Sequence, residues 1–357
     1  MNIAILGCGN IANTHAPEVT KLGHKIVAAI DTNPATARAF GERWGAGYIG
    51  SDFERALADD IDSVHVCTPP TLHYEMVKKI VGAGKHVICE KPLCLDPAEA
   101  KDLWERAREK GVVTAVNFNV RYHEACRRAR EVIGGEDFGR VCLIHGSYLQ
   151  EFHVLPAEYM WRYIPELAGP MRATTEIGSH WIDLARYWTG LEIEAVSANY
   201  GKFSPERYKK DGMMYAQPQE GGEPITVDTD DAAVVSLRFR NGAIGSLLLS
   251  EVSHGRSNYV GMEVTGTQKS VWWNSEDPYK LCTATKFGGV TTLTNAFGGG
   301  FPNTFGAFFR EVYADMERGE LSEKPAFPTF YDAYINSAVC RAIYESANND
   351  SAWTEVR

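Results

Sequence analysis

The chain has 357 residues, 44% of them hydrophobic and 23% charged, enough for a sizeable core and, at about 100–200 residues per domain, for two domains. Lys plus Arg total 36 against 46 Asp plus Glu, a formal net charge of −10, which argues against the clustered basic surface that nucleic-acid binding requires. No apolar run approaches the ~20 residues of a membrane-spanning helix, and the opening Met1-Asn2-Ile3-Ala4-Ile5-Leu6-Gly7 lacks the basic stretch of a signal peptide. A cytoplasmic location is therefore expected. The eight cysteines show no C-x-x-C spacing and are expected as buried thiols rather than zinc ligands.

In chain order, Asn2–Leu6 is a short apolar run that reads as a strand, followed by glycines and a helical stretch to Leu22. Lys25–Ile30 is a second strand, closed by Asp31. Pro34–Trp44 reads as a helix with proline in its first turn, where the missing N–H costs little. Ser63–Cys67 is a strand, Leu72–Val81 a helix and His86–Cys89 a strand. Pro97–Lys110 has helical spacing with Asp96 as N-cap, and Val112–Phe118 reads as a strand. Apolar strands alternating with helices predict a parallel sheet covered on both faces.

After about residue 121 the pattern changes. His123–Ile133 and Ile177–Trp188 read as helices. Strand-like runs follow at Val141–Leu149, Val196–Tyr200, Ala232–Phe239, Ala243–Glu251, Tyr259–Gly266 and Ser270–Asn274. Asn241-Gly242 is a hairpin signal. Lys202–Pro224, polar and rich in Gly, Pro and Tyr, is expected as an excursion loop. Gly298-Gly299-Gly300 breaks the chain before a helix near Thr304–Glu317, and Tyr331–Ala347 reads as a terminal helix. Closely spaced strands predict an antiparallel or mixed sheet.

Gly7-Cys8-Gly9-Asn10-Ile11-Ala12 fits G-x-G-x-x-G/A between a strand and a helix. The first glycine permits a tight turn, the second admits a pyrophosphate to the backbone, and the small third residue lets helix and strand pack closely. The helix N-terminus offers N–H groups to phosphate. Asp31 lies 19 residues beyond Ala12, where an acid can bind a ribose 2′-hydroxyl and repel a 2′-phosphate. NAD is therefore expected rather than NADP. Capping of the Pro34 helix is the plainer role for Asp31.

Glu90-Lys91-Pro92 follows a strand directly, at the carboxyl end where ligands bind in an open α/β sheet. A lysine there can sit beside a nicotinamide and a substrate hydroxyl; a surface lysine is the alternative. Glu176 and His180 are four apart and can share a helix face, so that the carboxylate orients the imidazole as a base requires. Asp183, three residues on, can do the same or pair elsewhere. A hydrogen-bonded core histidine is the alternative for His180. No third ligand has suggestive spacing, so no metal is expected.

Gly7–Ala12, Asp31, Thr68-Pro69-Pro70 with His73, Glu90-Lys91-Pro92 and Gly178-Ser179-His180 with Asp183 together resemble the Gfo/Idh/MocA oxidoreductases, the glucose-fructose oxidoreductase and inositol dehydrogenase family. The resemblance covers essentially the whole chain. It departs from the family at Glu176, where an Asp is usual. It implies an α/β protein: an N-terminal Rossmann domain (1–121) and a C-terminal α/β domain (122–357) with a large open, mainly antiparallel sheet for substrate and oligomerisation. The terminal helix, 331–357, is expected to pack back on the Rossmann domain. Lys91, His180 and Glu176 are the implied catalytic residues. Gly7, Gly9, Asn10, Ile11, Ala12, Asp31, Thr68, Pro69, His73, Glu90 and Lys91 are the expected cofactor contacts, with Trp161 and Arg162 of a W-R element. Asn119, Arg121, Tyr122, Gln150 and His153 are expected to join Lys91, Glu176 and His180 around the substrate. The implied activity is NAD-dependent hydride transfer from a secondary hydroxyl, the 3-hydroxyl foremost, of a sugar, glycoside or inositol. An NAD-dependent glycosidase working by transient oxidation, and a non-catalytic NAD- and sugar-binding regulator, are the alternatives. A homo-oligomer, dimer or tetramer, is expected.

Overall fold

Strand β1 (Asn2–Leu6) is apolar past Asn2 and its last four residues are buried, as a central strand covered on both faces must be. It is followed by α1 (Ala12–Lys21), β2 (Lys25–Ile30), α2 (Pro34–Trp44), β3 (Tyr48–Gly50), β4 (Ser63–Val66), α3 (His73–Gly82), β5 (His86–Cys89), α4 (Pro97–Lys110) and β6 (Thr114–Val116). The computed structural model describes residues 1–295 and 300–357. Gly298 and Gly299 of the expected chain break lie outside the described residues. The six strands form one parallel sheet in the order β3-β2-β1-β4-β5-β6. Strand order reverses between β1 and β4, so a crevice opens past their carboxyl ends. The loops at Gly7 and at Thr68 leave from those two strands. Asn33 caps α2 through its side chain, and Asp96 caps α4. Capping of α2 therefore falls to Asn33, and Asp31 is left for another use.

The second unit begins with α5 (Glu124–Ile133) and β7 (Val141–Leu149), then β8 (Ala157–Glu158), the short α6 (Pro165–Ala168) and α7 (Ser179–Thr189). Strands β9 (Ile193–Gly201), β10 (Glu206–Lys210), β11 (Met213–Tyr215), β12 (Glu223–Thr226), β13 (Ala232–Phe239), β14 (Ile244–Ser250), β15 (Tyr259–Gly266), β16 (Lys269–Asn274), β17 (Lys280–Thr285) and β18 (Gly289–Thr294) follow. The large sheet runs β18-β17-β16-β15-β7-β14-β13-β9-β19, closed by β19 (Thr354–Glu355), and only its β7–β14 pairing is parallel. Asn241-Gly242 turns β13 into β14, with Gly242 at φ +84° and the Asn241 side chain accepting from Ala243 N.

The structure corrects two expectations here. Lys202–Pro224 is not a loop: β10, β11 and β12 form a small sheet with β8. Its hairpin turns on Asp211-Gly212, both at positive φ, an Asp-Gly signal of the same kind as Asn-Gly. The helix expected from Ile177 starts earlier, as a π-helical segment at Thr174–Gly178 that runs into α7.

The chain then returns to the first unit. That unit comprises 1–122 and 300–337, and the second comprises 123–299 and 338–357. Helix α8 (Phe301–Arg318) thus belongs with the parallel sheet, although the sequence reading assigned everything past 121 to the C-terminal domain. Phe305, Phe308, Phe309, Val312, Tyr313 and Met316 recur at helical spacing and join Ile5, Ala12 and Ala16 in one buried cluster. That apolar face belongs to the sheet's second layer. Helix α9 (Phe330–Ala347) begins in the first unit, where Phe330 and Ala333 are buried in the core that contains Leu103. It ends in the second, where Ser346 Oγ accepts from Ala198 N at 2.9 Å. Among the described residues no helix is long and apolar enough to cross a membrane.

Phe309→Ala tests the place of α8. Loss of a fully buried ring is expected to cost about 3–5 kcal/mol of stability in urea denaturation. A change below about 1 kcal/mol would contradict the packing.

Candidate active site

The loop after β1 is shaped by Gly7, at φ +81°. A Cβ there would lie 2.7 Å from Cys67 O, so glycine is required both by conformation and by space. A Cβ at Gly9 would meet nothing within 4 Å, which leaves the face of the loop open. Helix α1 has no acidic residue in its first turn and no side-chain cap. Its N-terminal N–H groups thus suit the pyrophosphate of a dinucleotide. Asp31 closes the loop: its Oδ2 accepts from Cys8 N at 2.8 Å and its Oδ1 from Asn33 N at 2.8 Å. A carboxylate at the end of β2, beside the glycine loop, has the chemistry to accept from a ribose hydroxyl, so these residues fit NAD. The Cys8 thiol, pushed up to about 12 by burial and by Asp31, stays protonated and inert.

The loops after β4 and β5 are joined by His73, which is fully buried. Its Nε2 lies 2.8 Å from Thr68 O and its Nδ1 3.0 Å from Pro92 O. It joins the Thr68-Pro69-Pro70 turn to Glu90-Lys91-Pro92. Glu90 is 8% exposed. Its Oε1 accepts from His15 Nε2 at 2.8 Å and from Asn117 Nδ2 at 2.6 Å. Burial alone would raise its pKa, but the hydrogen bond from His15, that from Asn117 and the nearby Lys91 outweigh it and hold the carboxyl below its ordinary value. An anion therefore stands directly before Lys91. His15 and Asn117 escaped the sequence reading, although His15 lies on α1 one turn past Ile11, within reach of the glycine loop.

Asn119, Arg121 and Tyr122 are buried within the first unit and bound to the returning segment. Asn119 Nδ2 donates to Thr304 Oγ1 at 2.7 Å, Tyr122 Oη to Glu311 Oε2 at 2.5 Å, and Arg121 lies 3.8 Å from Asp332.

In the second unit, the π-helical turn sets Glu176 toward Arg162, whose Nε donates to Glu176 Oε2 at 2.6 Å. The guanidinium also lies over the Trp161 ring at 4.7 Å, so the W-R element and Glu176 form one assembly. His180, 7% exposed on α7, lies with its ring 6.3 Å from Tyr148. Asp183 is 1% exposed on the same helix. Tyr148 Oη and Gln150 Nε2 both donate to Asn258 Oδ1, at 2.9 and 2.7 Å. His153 Nδ1 meets Tyr163 Oη, and its Nε2 lies 3.7 Å from Glu251. Burial, then Arg172, Arg162 and Arg207, push its pKa far down.

Glu251, at the end of β14, is fully buried and escaped the sequence reading. Burial first and Glu176 second raise its carboxyl well above the ordinary range, against the pull of Arg172, whose Nε lies 2.9 Å from it. Arg172 also binds Asp231, to which Arg207 donates at 3.0 Å. His153, Glu176 and Glu251 bring ligand atoms within 4.8 Å of one another, a set that suits a divalent cation. Guanidinium groups already stand against both side chains, Arg162 on Glu176 at 2.6 Å and Arg172 on Glu251 at 2.9 Å, so the cluster reads as a guanidinium–carboxyl network.

Residues 1–118 match the family model described as "Oxidoreductase family, NAD-binding Rossmann fold", and 126–272 match the GFO/IDH/MocA C-terminal domain. A levoglucosan dehydrogenase from Pseudarthrobacter phenanthrenivorans is 31% identical, over 100% of this chain and 98% of its own. A D-glucoside 3-dehydrogenase from Escherichia coli is 28% identical over 68% of each chain. The structure of a levoglucosan dehydrogenase in complex with NADH and levoglucosan superposes with a TM-score of 0.89 at 29% identity, covering 100% of this chain and 99% of the other.

The buried histidines set a pH dependence. Burial lowers the pKa of His24, His65, His73, His86, His123 (to about 4) and His153. Each resists protonation in the folded chain, whereas the unfolded chain takes up protons below about pH 6.5. The unfolded state therefore binds more protons there, and stability falls as pH falls. Glu99, Asp230 and Glu251, raised by burial, act in the opposite sense, but the histidines outnumber them. Urea denaturation is expected to give a stability about 1–3 kcal/mol lower at pH ~5 than at pH ~7. Equal or greater stability at the lower pH would contradict this balance.

Proposed function

The chain belongs to the GFO/IDH/MocA oxidoreductase family, and on that premise we propose that it is an NAD-dependent dehydrogenase of a secondary hydroxyl on a sugar, glycoside or inositol, with the 3-hydroxyl of a glycoside as the foremost target. The observation that carries this reading is the end-to-end match to a levoglucosan dehydrogenase, in a chain that keeps both Lys91 and His180. A glucoside dehydrogenase among the relatives supports the same substrate class.

In this reading Gly7, Gly9, Asn10, Ile11 and Ala12 would cradle the cofactor, Asp31 would bind its ribose, and Thr68, Pro69 and Glu90 would line the crevice. NAD, when bound, accepts the hydride. His180 takes the proton of the substrate hydroxyl as general base. Lys91 hydrogen-bonds the same oxygen and offsets the negative charge that develops on it. The substrate thus loses a hydride and a proton and leaves as a ketone. Glu176, held by Arg162, binds a neighbouring hydroxyl. Trp161 would wall the nicotinamide side. Gln150 and His153 complete the polar lining. We place the protein in the cytoplasm as a homo-oligomer; Val234, Ile244 and Leu248, exposed at 59%, 60% and 43% on the large sheet, support self-association.

A panel of levoglucosan, glucosides, free sugars and inositols with NAD tests the reading through NADH absorbance and product mass. Net NADH with a ketone product is expected; cleavage without net NADH would mean the glycosidase route. Lys91→Ala and His180→Ala are each expected to lower kcat/KM by about a thousandfold while NADH still binds. Full turnover in both would overturn the assignment. Asp31→Ala is expected to erode the preference for NAD over NADP, and an unchanged preference would remove Asp31 from the ribose site.

A further inference from the structure

A row of buried polar side chains runs behind Glu90 through the first unit. His15 on α1 uses Nε2 on Glu90 and places Nδ1 2.9 Å from Nδ1 of His65 on β4. His65 Nε2 lies 2.8 Å from Tyr313 Oη on α8. His15 and His65 are fully buried and Tyr313 is 2% exposed. Phe305 and Phe309 set ring edges against His15, and Phe309 also against His65. Polar groups placed so deep need mutual partners, yet an all-apolar arrangement would fill the same space at less risk. Their presence calls for a role.

We propose that His15, His65 and Tyr313 are positioning residues, a hydrogen-bond chain that holds the Glu90 carboxylate, as a charged acceptor, beside Lys91. With Glu90 ionised, His15 Nε2 must carry the proton it donates. In the tautomer set with Nδ1 of His15 unprotonated, His65 donates to it from Nδ1 and accepts at Nε2, and the Tyr313 hydroxyl donates. One set of tautomers satisfies every member, and each bond polarises the next. The groups facing Glu90 are His15 from α1, Cys67 past β4, His73 from α3, Cys89 and Lys91 beside it in the chain, and Asn117 past β6. Facing His65 are His15, His24 and Tyr313. Cys67 and Cys89, raised by burial, stay neutral, and burial lowers His73. That leaves His15 and Asn117 as the donors seated on the carboxylate, and Lys91 as the cation it serves.

The inference rests on Lys91 acting at the substrate oxygen. A carboxylate fixed directly before it in the chain anchors that turn, and a small displacement there is costly because the reacting groups must meet in register. The chain also explains why polar Tyr313 interrupts the apolar face of α8.

The test uses the full-length enzyme with NAD and levoglucosan, or the panel member it turns over best. Tyr313→Phe, at the far end, is expected to lower kcat about 3–10-fold, and His15→Leu about 10–100-fold. NADH affinity, read by fluorescence, should change less than about twofold in either. His15→Leu should also add an acidic limb to the kcat profile, because burial then acts on Glu90 with less opposition. His15→Gln, whose amide still donates to Glu90, should restore part of the profile; if His15→Leu does not fold, it and Tyr313→Phe carry the test. The Glu90 carboxyl is followed directly by infrared difference spectra, assigned with Glu90→Gln. Variants that lose thermal stability but keep kcat, pH profile and infrared band would reduce the chain to a structural element and overturn the proposal. An indifferent Lys91→Ala with a shifted Glu90 band in His15→Leu would sink the Lys91 reading alone.

Discussion

A carboxylate at the carboxyl end of β5 is the constraint around which the first unit is organised. Glu90 is almost without solvent contact, and an isolated charge there would neutralise itself rather than persist. It persists because α1 supplies His15 and β6 leads into Asn117, both within hydrogen-bond distance of one carboxylate oxygen. Those partners are useful only if α1, β5 and β6 keep their places. The charge therefore links the helix that starts at the glycine loop to the strand that delivers Lys91. A hydrophobic residue at position 90 would pack with less demand, but it would specify neither the orientation of α1 nor the environment of the lysine.

The second unit meets the same problem at larger scale. Arg172, Arg207, Asp230, Asp231 and Glu251 are all nearly or fully buried. Asp230 accepts from Arg172 N at 2.6 Å and from Thr174 N at 2.8 Å, which fixes the entry to the π-helical turn carrying Glu176. Taking so many ionisable groups out of water gains little net stability. The network instead fixes geometry: a shift of Asp230 would move Thr174, then Glu176, then Arg162 and Trp161. Breaking one member is more damaging than replacing the set, because a lone buried charge would remain.

Legibility in the sequence followed the range of the interactions. The glycine loop, the Asp96 cap and the Asn241-Gly242 hairpin depend on neighbours a few residues away, and each was readable from local chemistry. So was the nucleotide fold, since alternating strands and helices leave few topologies. Lys202–Pro224 was misread because polar composition hid the alternation that buries Arg207 and Met214, though Asp211-Gly212 signalled a hairpin. The return of α8 to the first unit could not be read, because nothing local says which sheet an apolar helix face will cover. Glu251, Arg172, His15 and His65 were equally silent. A buried charge is recognised by its partners, and those lie far away in the chain: 75 residues separate His15 from Glu90, and 248 separate His65 from Tyr313. Glu176 was legible as a site candidate, but its bond to Arg162, made from a π-helical turn, was not.

The proposed chemistry is hydride transfer from a carbinol carbon of a carbohydrate. A glucoside or levoglucosan deuterated at the carbinol carbon, incubated with NAD and the enzyme, tests it most directly through the mass of the recovered cofactor. Deuterium is expected in the NADH, together with a slower turnover than the unlabelled sugar gives. NADH formed without deuterium, or product formed with the label still on the sugar, would contradict it.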